Sequence, residues 1–240
     1  MSTQTILLIT LPLAAVLLVG YFYANTLRTI WLIVSVSPYE QTVEGAPSVL
    51  VLGDSTGYGT GATTAGDSVA GRLGANFAVN IKNNSVNGRT IGELRDATRD
   101  ISGYYELILL QIGANDILQK RDRDAVEREL RALVGRLSEH SNHLVMISSG
   151  NVGASPKFVD KEAAEYEAIS RQFKEVFAKV GAETSLTYVD LFVDPKDDPF
   201  VDNPEVYIAF DGLHPSSEGY KQWYQKLEPT FTEILGEYKK

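Results

Sequence analysis

The sequence predicts an α/β domain, a parallel sheet with helices on both faces, preceded by one amino-terminal transmembrane helix. Three observations predict it. From Ser48 onward, short apolar runs alternate with amphipathic stretches of helical period, the pattern of strands joined by crossover helices. Several of those runs are continuously apolar, as strands buried on both faces are. Ahead of them, Ile6 to Tyr23 is 18 residues without a charge, the length at which a membrane span becomes the leading reading.

The amino-terminal run ILLITLPLAAVLLVGYFY covers about 27 Å as a helix, close to a hydrocarbon core of about 30 Å. Pro12 lies inside it, which a lipid-embedded helix tolerates. Tyr21, Tyr23 and Trp31 mark its far interface. A second apolar patch, Ile30 to Val36, follows the polar break Asn25, Thr26 and Arg28; it extends the helix or lies along the membrane surface. A cleaved signal peptide would want a basic start and a small-x-small cleavage site. MSTQT has neither Lys nor Arg, and Phe22 before Ala24 spoils the nearest cleavage candidate. A buried soluble helix would need cover on all sides, and nothing nearby supplies it. The expectation is an uncleaved single-pass anchor over residues 1–36, with the folded domain on the extracytoplasmic side. The one nearby side-chain cation, Arg28, weakly favours a cytoplasmic carboxyl side instead.

Residues 37–47 (SPYEQTVEGAP) are polar, with Pro and Gly at their ends, and read as a linker. The domain then occupies 48–240. Val49 to Leu52 is a short buried strand. Ala78 to Val86 alternates loosely, as a strand nearer an edge would. Leu107 to Ile112 and Leu144 to Ile147 are buried runs, and Leu186 to Leu191 is a fifth strand candidate. Between them, Thr90 and Glu93 form a capping box ahead of Leu94. From Asp122, Val126, Leu130, Leu133, Val134 and Leu137 share one helical face. A later helix buries Ile169, Phe173, Val176, Phe177 and Val180 and is expected to stop at Gly181. The last helix starts after Pro215 and runs towards Leu235.

Composition narrows the function. Lys plus Arg is 22 against 31 Asp plus Glu, a net charge of −9, which disfavours a general nucleic-acid binder. Apolar content of 44% and charged content of 22% are ordinary globular values that argue against disorder. With no cysteine there is no disulfide, thiolate nucleophile, iron–sulfur cluster or Cys-type zinc site.

In open parallel sheets, chemistry gathers beyond the carboxyl ends of the strands. Ser55 lies there, directly after the first strand, in Gly53-Asp54-Ser55-Thr56-Gly57. A serine at a strand-to-helix turn can present its hydroxyl at the mouth of the sheet; the same glycines would equally serve a plain turn. A serine needs a base. Of three histidines, His140 and His143 suit surface or packing roles, whereas His214 sits in Asp211-Gly212-Leu213-His214-Pro215 before the last helix. Asp211 can reach Nδ1 of that imidazole and turn Nε2 towards a serine, or serve with Ser216 only to cap a turn. Asn115 in Gly113-Ala114-Asn115-Asp116 can donate to a developing oxyanion. So can the N–H groups of Gly88, in Asn87-Gly88-Arg89-Thr90, and of Ser55.

Taken in order, these blocks resemble those of the SGNH hydrolases, also called the GDSL esterase/lipase family: GDST at Ser55, Gly88, GAND with Asn115, and DGLHP with Asp211 and His214. The resemblance covers roughly Ser48 to the carboxyl end. GDST stands where the family name has GDSL, at a position that is not catalytic. The resemblance implies a flavodoxin-like three-layer α/β/α sandwich. It implies a Ser55–His214–Asp211 triad, an oxyanion hole of the Ser55 N–H, the Gly88 N–H and the Asn115 amide, and ester hydrolysis without metal or cofactor. The expected substrates are acyl or acetyl esters, on a small molecule, a lipid or a glycan; the membrane is met through the amino-terminal helix, and the oligomeric state is open. Two alternatives stand beside it: an α/β-hydrolase, which shares the Ser-Asp-His chain order, and a nucleotide- or flavin-binding module on the same sheet. Gly57-x-Gly59-x-Gly61 resembles a phosphate cradle, but no Gly-Lys-Ser/Thr follows. Asp194, Asp197, Asp198 and Asp202 lack EF-hand spacing and read as a solvated acidic loop. Asn83-Asn84-Ser85 is a formal glycosylation sequon. The long segment Phe192 to Pro215, with Phe200, Tyr207 and Phe210, is expected to help shape an acyl pocket.

Overall fold

The computed structural model describes residues 18–24, 26–27 and 35–240. The chain divides into two compact units, Met1–Ser35 and Val36–Lys240. In the first, residues 18–24 are helical, with Leu18, Val19, Tyr21, Phe22 and Tyr23 exposed. Residues 6–17 of the expected span, and most of the patch Ile30 to Val36, lie outside the described residues. Among the described residues, no helix is long and apolar enough to cross a membrane.

The second unit carries five parallel strands: β1 (Ser48–Gly53), β2 (Asn80–Asn83), β3 (Tyr105–Gln111), β4 (Ser141–Ile147) and β5 (Leu186–Tyr188). Their order is β2-β1-β3-β4-β5. Nine helices accompany them: α1 (Ser55–Tyr58), α2 (Val69–Asn76), α3 (Ile91–Ala97), α4 (Ala114–Leu118), α5 (Arg123–Leu137), α6 (Asp160–Glu183), α7 (Pro199–Asp202), α8 (Pro204–Tyr207) and α9 (Ser217–Leu235).

Strand alternation sorts the core into two halves. Val49, Val51, Leu107 and Leu109 face one side, where Val69 and Leu73 of α2 and Tyr220, Leu227 and Phe231 of α9 cover them. Leu50, Leu52, Ile108 and Leu110 face the other, under Leu94 of α3, Leu130 and Leu133 of α5 and Phe173 and Phe177 of α6. Each fully buried Leu, Ile or Val contributes about 1.5–3 kcal/mol, so the central strands β1 and β3 are the most firmly held part of the sheet. The result is the expected three-layer α/β/α sandwich. The chain goes from β1 out to β2 on one side and returns to β3 on the other. Loops leaving β1 and β3 therefore part in opposite directions and open a crevice between them.

Four sequence expectations change. The helix expected to stop at Gly181 runs on to Glu183, and the Thr184 hydroxyl donates to the Val180 carbonyl at 2.7 Å. Gly181 serves packing instead: a Cβ there would meet the Leu186 carbonyl at 3.1 Å, so its small size seats α6 against β5. The strand expected over Ala78 to Val86 is only Asn80–Asn83, and the one over Leu186 to Leu191 is Leu186–Tyr188. The polar segment 37–47 is docked rather than free. Gln41 pairs antiparallel with Ile81, and its side-chain amide donates to the Val79 carbonyl at 2.8 Å. Asn80 accepts from the Val43 N–H at 2.7 Å and donates to the Ala46 carbonyl at 2.7 Å. This strap occupies part of the open edge of β2, which would otherwise expose unpaired backbone groups.

Candidate active site

Ser55 is the first residue of α1, immediately beyond β1. The preceding Asp54 caps that single turn: its Oδ1 accepts from the Thr56 N–H and the Thr56 hydroxyl, both at 2.8 Å. The Asp54 N–H donates to the Gln111 carbonyl of β3 at 3.0 Å, which fixes the turn to the sheet. Asp54 is wholly buried, and Oδ2 has no hydrogen-bond partner among the described residues. Burial pushes its carboxyl up to about 6, against the bonds from Thr56.

His214 comes from the loop between α8 and α9. Its Nε2 lies 2.9 Å from Ser55 Oγ, and its Nδ1 lies 2.6 Å from Asp211 Oδ2. The two possibilities open for Asp211 in the sequence both hold. Oδ1 caps the turn, accepting from the N–H groups of Leu213 at 3.0 Å and His214 at 3.1 Å, while Oδ2 holds the imidazole. Burial pushes the Asp211 carboxyl up, but the hydrogen bond and charge of His214 and the two backbone donors outweigh it, leaving it below the usual carboxylate range. Ser216 caps α9 through the Gly219 N–H at 3.2 Å. The loop is braced from two sides. The Ser155 hydroxyl donates to the Gly212 carbonyl. Gly61 backs the histidine, where a Cβ would sit 2.9 Å from His214 Cβ and 2.3 Å from the Pro215 carbonyl. Gly61 thus packs against His214 and Pro215.

Asn115 is tied to the loop that carries Gly88. Gly88 has φ +80° with open space around its Cβ position, a left-handed turn that glycine adopts without strain and that a substrate can approach. Asn115, in the first turn of α4, donates through Nδ2 to the Arg89 carbonyl at 3.2 Å. Thr60 Oγ1 donates to Asn87 Oδ1 at 2.9 Å, and the Asn83 amide donates to the Gly57 carbonyl at 2.9 Å. The loops bearing Ser55, Gly88 and Asn115 are therefore cross-tied. Ser55, His214 and Asp211 stand in one hydrogen-bonded row, and Asn115 is tied to the loop that carries Gly88. Asp54, Thr60, Asn83 and Asp116 support the site and were not singled out as site residues from the sequence; Asp54 and Asp116, each next to a chemical residue in its block, were the available signal.

The remaining expectations fall elsewhere. His140 Nδ1 meets the Gly103 carbonyl at 2.9 Å, and His143 lies 3.8 Å from Glu106. Asn83 of the sequon is 5% exposed with its amide engaged, so a glycan there would break the tie to Gly57. Asp194 pairs with Arg171 at 2.7 Å, and Asp198 is buried and caps Phe200 at 3.0 Å; the acidic loop is only partly solvated. No cluster of metal-ligating side chains is found among the described residues. Phe200 stacks on Tyr207 at 5.4 Å and on Trp223 at 6.5 Å, between ring centroids. It lines a cavity of about 110 Å³ with Ser149, Leu191 and Trp223. Ser55 and His214 are not among that cavity's lining residues, and Phe210 is exposed.

A three-layer sheet with a serine, an imidazole and a carboxylate in one hydrogen-bonded row at its switch point is the construction of a serine ester hydrolase. The chain belongs to the GDSL-like lipase/acylhydrolase family, whose model matches residues 51–222; the α/β-hydrolase alternative falls with that. No curated protein matches the sequence. Solved structures with the same fold include a lipolytic G-D-S-L family protein from Veillonella parvula, at 21% identity and a TM-score of 0.60, covering 77% of this chain and 98% of that one. An acetylxylan esterase from Geobacillus stearothermophilus follows at 19% identity and 0.58, covering 80% and 95%. The acetyl xylan esterase AlAXEase matches at 17% and 0.58, covering 76% and 98%.

Asp54 yields a prediction. Its folded-state value of about 6 lies above the ordinary 3.8, so between these values the folded state binds more protons than the unfolded. Stability from this group is therefore present in acid and lost as pH rises from about 4 to 6. Asp54→Asn keeps a cap without the charge. Urea unfolding should show the variant gaining on the native chain as pH rises through that window, by about 1–3 kcal/mol.

Proposed function

We propose that this chain hydrolyses acyl or acetyl esters by nucleophilic catalysis, with Ser55, His214 and Asp211 as its triad. The observation that carries the reading is the unbroken row from Ser55 Oγ through His214 to Asp211, at 2.9 and 2.6 Å. Both spacings are within the reach that proton transfer requires. Ser55 Oγ attacks the acyl carbon as His214 Nε2 takes its proton, and Asp211 stabilises the imidazolium through Nδ1. The oxyanion accepts from the Ser55 N–H, the Gly88 N–H and the Asn115 amide. One Asn115 N–H holds Arg89, and an amide has a second to offer. His214 then protonates the departing alcohol, and water, deprotonated by the same imidazole, releases the acyl group from Ser55. No step calls for a metal or cofactor. The proposed substrates are esters of lipids or glycans, as in a lysophospholipase or a carbohydrate esterase. Acetylxylan esterases share the fold, which makes an acetylated glycan the first natural substrate to test.

The test is turnover of p-nitrophenyl esters from acetyl to palmitoyl. Ser55→Ala should abolish it, and kcat/KM of the native chain should fall on acidification, because a protonated His214 cannot accept the serine proton. Undiminished turnover in Ser55→Ala, or a flat acid limb, would contradict the triad.

The uncharged run Ile6 to Tyr23 supports a further element of the reading, an anchor over residues 1–36 that keeps the enzyme on a membrane with its domain extracytoplasmic. Deleting residues 1–36 should leave an active domain that fractionates away from membranes, while the full chain sediments with them. Sedimentation of both, or of neither, would contradict the anchor.

A further inference from the structure

We propose that Asp116 is a positioning residue that holds the two halves of the oxyanion hole in register, clamped from behind by Arg121 and Glu129. The inference rests on the oxyanion hole assigned above to Gly88 and Asn115.

Asp116 follows Asn115 in α4, and its side chain is 0% exposed. Both carboxylate oxygens are engaged. Oδ2 accepts from the Ile91 N–H at 3.0 Å, and Oδ1 accepts from Arg121 Nη1 at 2.7 Å. Ile91 opens α3, three residues beyond Gly88. That helix start already has its capping box, with Thr90 and Glu93 satisfying each other's backbone donors. The bond from Ile91 to Asp116 therefore does more than cap α3; it sets where the Gly88 turn lies relative to α4. Asn115 makes the second tie, to the Arg89 carbonyl at 3.2 Å. Consecutive residues of one loop thus grip alternate residues, Arg89 and Ile91, of the other. Rotation of either loop about a single bond is blocked.

A buried carboxylate is costly unless paired. Burial raises the Asp116 carboxyl, and the bonds from Arg121 and Ile91 oppose that rise. Arg121 is itself held by Glu129 of α5, its Nη1 and Nη2 donating at 2.8 and 3.0 Å, a bidentate pair. The Glu129 carboxylate lies where a Cβ on Gly92 would be only 2.7 Å away, so α5 presses directly on α3. Asp116 is shut away from solvent with both oxygens engaged by protein donors. What remains for it is geometry, and a displacement of about 1 Å at such a site can cost 10²-fold.

The test measures kcat and KM on p-nitrophenyl acetate for Asp116→Asn, Asn115→Ala and the double variant in the full chain, with thermal unfolding alongside. Asp116→Asn keeps an acceptor for Ile91 but drops the charge facing Arg121. Its kcat should fall about 10- to 100-fold with KM changed less than about twofold. In the Asn115→Ala background the same change should cost less than about fivefold, because one donor that it positions is already gone. Glu129→Gln, which weakens only the outer clamp, should lose about three- to tenfold in kcat and serves as the deciding variant if Asp116→Asn fails to fold. Native-like kcat in folded Asp116→Asn overturns the proposal. So does a full multiplicative loss in the double variant, or an unchanged kcat in Glu129→Gln. Full activity in Ser55→Ala or Asn115→Ala would instead sink the catalytic reading, and this inference with it.

Discussion

One hydrogen bond, 2.9 Å from Ser55 Oγ to His214 Nε2, joins residues 159 apart in the chain. It forms only if the first strand and the last helix of the domain are assembled on the same sheet. Most of what the structure contains can be understood as the means of making that contact. The strand-order reversal beside β1 opens a crevice where Ser55 emerges. The α9 helix, buried through Tyr220, Leu227 and Phe231, brings its preceding loop over the same edge. Tyr220 seals the joint by donating from its hydroxyl to the Thr60 carbonyl at 2.7 Å, which holds the serine loop against the helix that follows the histidine.

The two halves of the site are built differently. The histidine half is a turn capped on itself, with Asp211 accepting three hydrogen bonds, and it leans on Gly61 and Ser155. The half proposed to form the oxyanion hole is two loops from different strands, held together by polar groups buried behind them. Buried charge appears on both sides, as Asp54 under the serine and Asp116 behind Asn115. Apolar residues at these positions would avoid the desolvation cost, but they would leave the N–H groups of Thr56 and Ile91 without their acceptors. Geometry near the reacting atoms is favoured over local stability.

Much of this was legible in the sequence. Continuous apolar runs revealed the central strands because burial on both faces leaves no polar positions. Ser55, Gly88, Asn115, Asp211 and His214 stood out because each lies in a short block at the end of a strand or the start of a helix. What stayed hidden depended on partners distant in the chain. The charged stretch from Lys120 to Arg131 looks like an ordinary solvated helix face, and nothing local marks Arg121 and Glu129 as a clamp on a buried acid. Gly181 resembled a helix terminator because glycine so often ends helices; whether it ends one or admits a neighbouring strand is decided by packing. The segment 37–47 has a linker's composition, yet Gln41 and Asn80 tie it to the sheet edge through groups that composition does not reveal.

The central claim is that Ser55 is the nucleophile, and the most direct measurement is its covalent capture. The native chain and His214→Ala would be treated with a fluorophosphonate, digested, and mapped by mass spectrometry. The account predicts a single phosphonyl adduct on the peptide containing Ser55, formed quickly in the native chain and far more slowly without the imidazole. An adduct on another residue, or equal rates in the two proteins, would contradict it.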